Sequence, residues 1–341
     1  TEIVHSSEDI DIEDLIVEED MVVTVSHAGY IKRNPVSLYK SQRRGGKGKI
    51  GMGTKEEDFV ERIFIASTHH YVLVFTTKGR VYWLKVYQIP QAGRAAKGKA
   101  IVNLINMVEG ERVAAVQAVR EFTGDKSVVM VTRQGTIKKT ELSAFSNPRS
   151  GGIIAISIDE GDELIDVQLT LGGQDIFLGT RKGKSIRFKE DDVRDMGRTA
   201  RGVRGIMMAP DDRVVGMEIP SEENSILTVS EKGYGKRTDI AEYRLQARGG
   251  KGTINLRTVP KVGEVSGILQ VTGNEDIMLI SDAGRIVRMK AEEVRAIHRS
   301  TQGVRLIDLD GTTPAPVNGE PVPDETEGAM EAETDEDPAE A

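Results

Sequence analysis

Cysteine is absent from the 341 residues, which excludes disulfides and thiolate metal sites and agrees with a reducing cytoplasm. Aromatic residues are scarce, at 4% with one tryptophan, so a surface built on base stacking has little to draw on. No apolar run approaches the roughly 18 residues needed to cross a bilayer. The N-terminus is acidic and has neither the basic start nor the apolar stretch of a signal peptide. The chain begins at Thr1, which suggests a processed or excised piece of something longer. Helical periodicity is almost missing. Only "KEDDVRDM" and "AEEVRAI" suggest short helical turns, both in connecting loops.

Positive charge is missing from both ends. Residues 1–20 carry nine acids and residues 310–341 carry eleven, with no Lys or Arg in either stretch. Residues 21–309 therefore hold 34 acids against all 46 bases, a net of +12 inside a chain of net charge -8. A basic body with acidic ends points to a polyanion-binding surface. The division is an acidic N-terminal linker (1–20), a body (21–309) and an acidic tail (310–341). The tail, poor in aromatic and β-branched residues, is expected to be disordered, as a solvated end or as a competitor for the basic surface.

What the body does contain is a repeat. Six segments share one layout: "MVVTVSHAGYIKR", "YVLVFTTKGRVYWLK", "SVVMVTRQGTIKK", "DIFLGTRKGKSIRFK", "SILTVSEKGYGKR" and "DIMLISDAGRIVRMK". Each is an apolar, β-branched run, a two-residue turn ending in Gly, and a second short run, which is a β-hairpin pattern. The turn glycines are Gly29, Gly79, Gly135, Gly183, Gly233 and Gly284, spaced by 50, 56, 48, 50 and 51 residues. A second glycine follows 19 residues later at Gly48, Gly98, Gly202, Gly252 and Gly303, with Gly151 and Gly152 in the slightly shorter third repeat. An apolar strand follows each landmark, and a fourth strand joins successive repeats.

Four strands in about 50 residues, six times over, predict an all-β fold of six propeller-like blades whose apolar faces are buried by their neighbours. A solenoid of separate sheets is the structural alternative. Closure is the open question. After Leu309 no sixth joining strand follows, only "DGTTPAPVNGEPVP". The candidates to replace it are "EIVH" and "DLIV" near the N-terminus; without one the ring is open or a slight spiral.

Catalytic motifs fail on inspection. "GRAAKGKA" (Gly93–Ala100) matches G-x-x-x-x-G-K but has Ala100 where Mg²⁺ needs a hydroxyl, and "GTRKGKS" (Gly179–Ser185) is one residue short. A P-loop also needs a helix after its strand, whereas strands flank both stretches. The histidines, His5, His27, His69, His70 and His298, show no metal-binding spacing and read as surface or loop residues. Neither a catalytic site nor a metal site is expected.

The cations recur. Four residues past the turn glycines stand Arg33, Trp83, Lys139, Arg187, Arg237 and Arg288, with Lys32, Lys138 and Lys236 beside them. The long loops add Arg43, Arg44 and Lys47; Arg94 and Lys97; Arg149; Arg198, Arg201 and Arg204; Arg248 and Lys251; and Arg299. Aligned by blade assembly, these predict a curved basic rim that meets a phosphate backbone at intervals. With few aromatics to stack on bases, duplex DNA read by shape and charge is the expected ligand.

One stretch narrows this to a family. "QRRGGKG" (Gln42–Gly48), with "SHAGYIK", "KGRVYWLKVYQIP", "GTIKKTEL", "KSIRFKEDDVRDMG" and "EKGYGKRTDIAEY", resembles the C-terminal domains of DNA gyrase A subunits, and the first resembles their GyrA box. The resemblance covers about residues 8–309. It implies a six-bladed β-pinwheel with strands exchanged between neighbouring blades. It also implies chiral wrapping of duplex DNA around the rim, which gives gyrase its negative-supercoiling activity. The role of the box falls on Gln42, Arg43, Arg44, Gly45, Gly46, Lys47 and Gly48, with a near copy at Gln246–Gly252. The implied partners are double-stranded DNA, the gyrase B subunit, plus the rest of the gyrase A subunit, in a bacterial cytoplasm and at the nucleoid. ATP and Mg²⁺ belong to the parent holoenzyme and bind elsewhere; no cofactor is expected in this piece. The rival readings are the corresponding domain of topoisomerase IV and a propeller used for protein docking.

Overall fold

In a computed structural model of the chain, residues 12–26, 28–38, 60–93, 96–281 and 286–309 are described. All six hairpins form, with strictly antiparallel registers such as Val72 opposite Leu84 and Ile226 opposite Thr238. Five of them sit in four-stranded sheets. The first blade joins Val60–Ser67, Asp20–Ser26, Tyr30–Pro35 and Lys99–Ala100, in that order across the sheet. The second joins Val113–Val119, Tyr71–Thr76, Arg80–Lys85 and Ile153–Ile154. The third joins Leu164–Thr170, Ser127–Thr132, Thr136–Glu141 and Val203–Arg204. The fourth joins Val214–Glu218, Asp175–Thr180, Lys184–Lys189 and Thr253–Ile254. The fifth joins Val265–Val271, Ser225–Ser230, Tyr234–Asp239 and Val304–Arg305. Among the described residues the sixth repeat is the hairpin Asp276–Ile280 with Ile286–Lys290. The joining strands are innermost: those of the second to fifth blades pack side by side in sequence.

The short outer strand belongs to the blade before its own repeat. Lys99–Ala100 follows Gly98 of the second repeat but pairs with the first hairpin, Tyr30 opposite Ala100. Val203–Arg204, Thr253–Ile254 and Val304–Arg305 do likewise. Counting four strands within each repeat is thus right in number and shifted by one blade at the outer edge. The exchanged strands are only two residues long. The loop helices expected at "KEDDVRDM" and "AEEVRAI" are single 3₁₀ turns, Glu190–Asp192 and Ala291–Glu293.

The exchange explains one row of glycines. The Gly183 carbonyl accepts both Asn255 N–H and Leu256 N–H from the next repeat. The Gly79 carbonyl receives Ala155 and Ile156 in the same way, and Gly233 receives Leu306 and Ile307. The turn residue must therefore lie against foreign backbone. Gly183 has φ +80°, and a Cβ there would sit on the Leu256 carbonyl oxygen.

Packing between blades accounts for the uninterrupted apolar runs. Successive side chains of a strand face opposite sides of the sheet. Val72 and Val74 pack with Met21, Val23 and Val25 of the first blade, while Leu73 and Phe75 pack with Val128 and Met130 of the third. Both faces of a blade are buried, so apolar residues need not alternate with polar ones.

Gly161 has φ +79°, and a methyl group placed on it would meet no heavy atom within 4 Å. Gly161→Ala is expected to cost about 1–2 kcal/mol for the left-handed backbone alone. Gly183→Ala is expected to cost clearly more, because the blade contact must also move. Urea unfolding of both variants checks this order.

Candidate nucleic-acid interface

The predicted rim is built from hairpin ends and long loops, and the structure separates the two. The hairpin-end cations turn inward. Lys32, Lys138 and Lys236 are fully buried. Lys32 Nζ donates to the Gly93 carbonyl at 3.2 Å. Lys138 Nζ donates to the carbonyls of Ala155 and Arg198, and Lys236 Nζ to those of His298 and Arg299. Apart from that of Ala155, in the same repeat as Lys138, these carbonyls lie on loops of the following repeats.

The neighbouring register does the same with its backbone and side chains. Arg33, Lys139, Arg187 and Arg237 each bridge in parallel to the next repeat's loop, at Gln91, Asp195, Leu245 and Ala296. Arg33 Nε donates to Ile89 O at 2.7 Å, and burial lowers its pKa. Arg187 Nη1 donates to Ile240 O at 3.0 Å, and its guanidinium pairs with Asp175 at 2.6 Å. Lys139 lies 3.7 Å from Asp195 and 3.9 Å from Glu190. Trp83, the one non-cation of the row, donates its indole N–H to Phe145 O at 2.9 Å. Loop carbonyls removed from water need donors. This need, and not phosphate, orients Lys32, Arg33, Lys138, Arg187 and Lys236, while Lys139 faces the carboxylates of Asp195 and Glu190. Two arginines differ: the Nε of Arg237 is buried without a hydrogen-bond partner among the described residues, and the side chain of Arg288 on the last hairpin is 58% exposed and pairs with Asp276.

The long loops face outward. Lys97, Arg201 and Lys251 each stand 18 residues after a turn glycine, and all three are exposed. Arg201 pairs with Asp159. The box-like copy Gln246–Gly252 is an ordered turn. Gly249, at φ +81°, donates its N–H to Gly205 O at 2.8 Å. Arg248 Nε donates to Asp192 O at 3.0 Å and Nη1 to Arg204 O at 2.5 Å. In this copy the arginine holds the loop and Lys251 is displayed. The box itself, Gln42–Gly48, and Arg94 lie outside the described residues.

Sequence reasoning missed the part of Arg80 in a small cleft at the junction of the second and third blades. Arg80, Arg149 and Arg198 line it with Gly152, Ile153, Ile154 and Thr199, and no carboxylate is among the lining residues. Arg80 is held by donating to Gly151 O at 2.6 Å and Gly152 O at 3.2 Å. Three guanidiniums around one cleft suit a phosphate group. The signal was available: Arg80 directly follows a turn glycine and Arg149 stands in the shortened third repeat. The stretch "GTRKGKS", rejected above as a nucleotide motif, forms the fourth hairpin as expected, with Gly183 at its turn.

The axis of the ring is unlike the rim. Asp166 accepts Val167 N–H at 2.8 Å and Met217 N–H at 3.3 Å. Burial raises its pKa to about 6, and Arg62 opposes the rise. Burial and Asp166 push Glu218 up to about 8.

Residues 20–67, 70–120, 126–170, 174–221, 224–272 and 275–312 match the family profile described as "DNA gyrase C-terminal domain, beta-propeller". The chain is 49% identical to the DNA gyrase A subunit of Salmonella typhimurium over 343 aligned positions, covering 99% of this chain and 39% of that protein. It is 47% identical to the DNA gyrase A subunit of Escherichia coli K12 over 90% of this chain and 35% of that protein. It spans about two fifths of the first relative's length. A crystal structure of the C-terminal domain of DNA topoisomerase IV superposes with a TM-score of 0.74 at 27% identity, over 86% of this chain and 90% of that one. A DNA gyrase A C-terminal domain superposes with a TM-score of 0.70 at 26% identity, over 86% and 97%.

Burial and the Arg198 guanidinium lower the Lys138 pKa to about 7, from 10.5. The unfolded chain then binds more protons between those values, so this group's stabilising contribution rises from pH 7 to pH 10 and is lost as pH falls through 7. Lys138→Met removes the titration but leaves two carbonyls without their donor. Its destabilisation relative to wild type is expected to be larger at pH 10 than at pH 7, measured by urea unfolding at both.

Proposed function

The chain belongs to the DNA gyrase A C-terminal domain family, and from that premise we propose that it binds double-stranded DNA along its outward loops and wraps it chirally. The observation that carries this reading is the separation of the cations. One set is consumed in holding blades together, while Lys97, Arg201 and Lys251 recur at a single exposed register with the Arg80–Arg149–Arg198 cleft between them. Exposed loop cations at a regular spacing suit a backbone of regular charge.

The work expected of the surface is bending. Duplex DNA has a persistence length of about 50 nm, so curving it around a small domain costs several kcal/mol, which multiple phosphate contacts must offset. The domain supplies geometry and the parent enzyme supplies chemistry. In this reading the wrapped segment is presented to the rest of a gyrase made of A and B subunits, where ATP and Mg²⁺ act, in a bacterial cytoplasm. The box residues Gln42–Gly48 join the loop cations in the wrap. Among the described residues no helix is long and apolar enough to cross a membrane.

A topoisomerase IV role is the second reading, favoured by the superposition on that enzyme's C-terminal domain. The intact "QRRGGKG" and six repeats favour gyrase.

Relaxation and religation of a nicked plasmid with the chain, beside Arg43→Ala/Arg44→Ala/Lys47→Ala, tests the proposal. A topoisomer shift with wild type that the variant loses supports chiral wrapping closed by the box. An equal shift from both assigns wrapping to the other loops, and no shift despite DNA binding overturns wrapping. Arg149→Ala/Arg198→Ala is expected to weaken duplex binding and lower the slope of log K against log[salt] by about 0.9, for the one phosphate the cleft no longer neutralises. Binding isotherms at four salt concentrations measure it.

A further inference from the structure

Among the described residues the sixth blade lacks an inner strand. Among the described residues Asp276–Ile280 pairs only with Ile286–Lys290, whereas every other first hairpin strand also carries an inner strand. Met278 is 57% exposed and Leu269, on the neighbouring inner strand, 49%. Both line a groove with Ile63, Phe64, Gln270 and Ile277. The matched profile also stops at residue 312, before any joining strand.

The order of the fold says which segment belongs there. In the five complete blades the inner strand leads, through three to seven residues, into the first strand of the next blade. The strand that leads into Asp20, where the first blade begins, lies just before it. With the four-residue connector found after Thr170 and Val271, this strand ends at Leu15. Its last residue then lies opposite the first hairpin residue, as Thr170 does Ser127 and Val271 does Ser225. The resulting register sets Leu15 against Asp276, Asp14 against Ile277, Glu13 against Met278 and Ile12 against Leu279.

The side chains fit that register. Ile12 takes the position of Phe64, Val116, Val167, Met217 and Ile268, apolar in every blade. Glu13 takes the position of Ile65, Gln117, Gln168, Glu218 and Leu269, polar in three of the five blades, and Asp14 that of Ala66, Ala118, Leu169, Ile219 and Gln270, polar only in the fifth. Leu15 takes that of Ser67, Val119, Thr170 and Val271, which are all buried.

The segment is elsewhere in this structure. Ile12–Leu15 is a 3₁₀ turn, and Glu13 pairs with Lys85 of the second blade at 2.8 Å. His69 Nε2 lies 2.8 Å from Ile16 O, and Thr68 Oγ1 donates to Val17 O at 2.9 Å. Leu15 and Val17 are 74% and 78% exposed. Apolar residues are thus left in water on both the segment and the groove.

We propose that the open edge at Asp276–Ile280 is the docking site of residues 12–15 of the same chain, which leave Lys85 and add to it as the sixth inner strand. One segment has two seats, an ion-paired one on the second blade and a strand-paired one on the sixth. Occupying the second seat joins the last blade to the first through their own backbone.

The absence of cysteine makes the test clean, because any introduced pair is the only pair. Directly opposed strand residues bring their Cα atoms to about 4.5–5.5 Å, within disulfide reach. Leu15→Cys/Asp276→Cys in the full chain is expected to cross-link under mild oxidation, read by mass spectrometry after alkylation of free thiols. Ile16→Cys/Asp276→Cys, one residue out of register and on the opposite face, is expected to remain largely reduced. Absence of the 15–276 link, or equal linking of both pairs, overturns the proposal. A second readout is amide exchange in Asp276–Ile280, expected to speed up at least tenfold in Ile12→Asp/Leu15→Asp. Unchanged exchange overturns it as well. Both measurements are made without DNA, so they stand or fall separately from the DNA-binding reading.

Discussion

The carbonyl of a turn glycine, capped by two N–H groups from the following repeat, is the contact on which the architecture turns. At Gly79, Gly183 and Gly233 it fixes where the next repeat's loop must pass. Once that loop is held, its two-residue strand completes the earlier blade and its carbonyls come within reach of Lys32, Arg33, Lys138, Arg187 and Lys236. The long basic loops are then displayed as a consequence of how their ends are pinned. The blades are joined to one another by the same groups that shape the surface.

This arrangement divides cationic side chains into two occupations that look alike in sequence. A lysine that donates to two main-chain carbonyls gives up water for fixed partners. A lysine on an exposed loop keeps its hydration until a counter-charge displaces it. Lys138 and Lys251 illustrate the two, one fully buried and one exposed, although both recur with the repeat.

The hairpins, their turn glycines, the number of repeats and the lack of helix were legible in the sequence, because short β-branched apolar runs on either side of a two-residue turn ending in glycine have few other meanings. Ownership of the outer strand was not, since two residues such as Val203–Arg204 carry no signal of which sheet they join. The inward row was misread because charge was taken as the property in common. Trp83 held the correction: it shares an N–H donor with Arg33 and Arg187, and no charge. What that row keeps across the repeats is donor capacity. Arg149 and Arg198 were named correctly as loop residues, but the cleft they form with Arg80 depends on the shortened third repeat bringing Gly151 and Gly152 onto that arginine.

The backward gift of the outer strand also sets a direction for folding during synthesis. A hairpin can form as soon as it leaves the ribosome, but its blade stays unfinished until the following repeat arrives: Gly183 waits for Asn255 and Leu256, 72 residues later. Each newly made repeat therefore seals the one before it and leaves its own edge open. The chain assembles as a relay from N-terminus to C-terminus, with at most about one unsealed blade at any moment, which limits the exposed strand edge available for misassociation with another nascent chain.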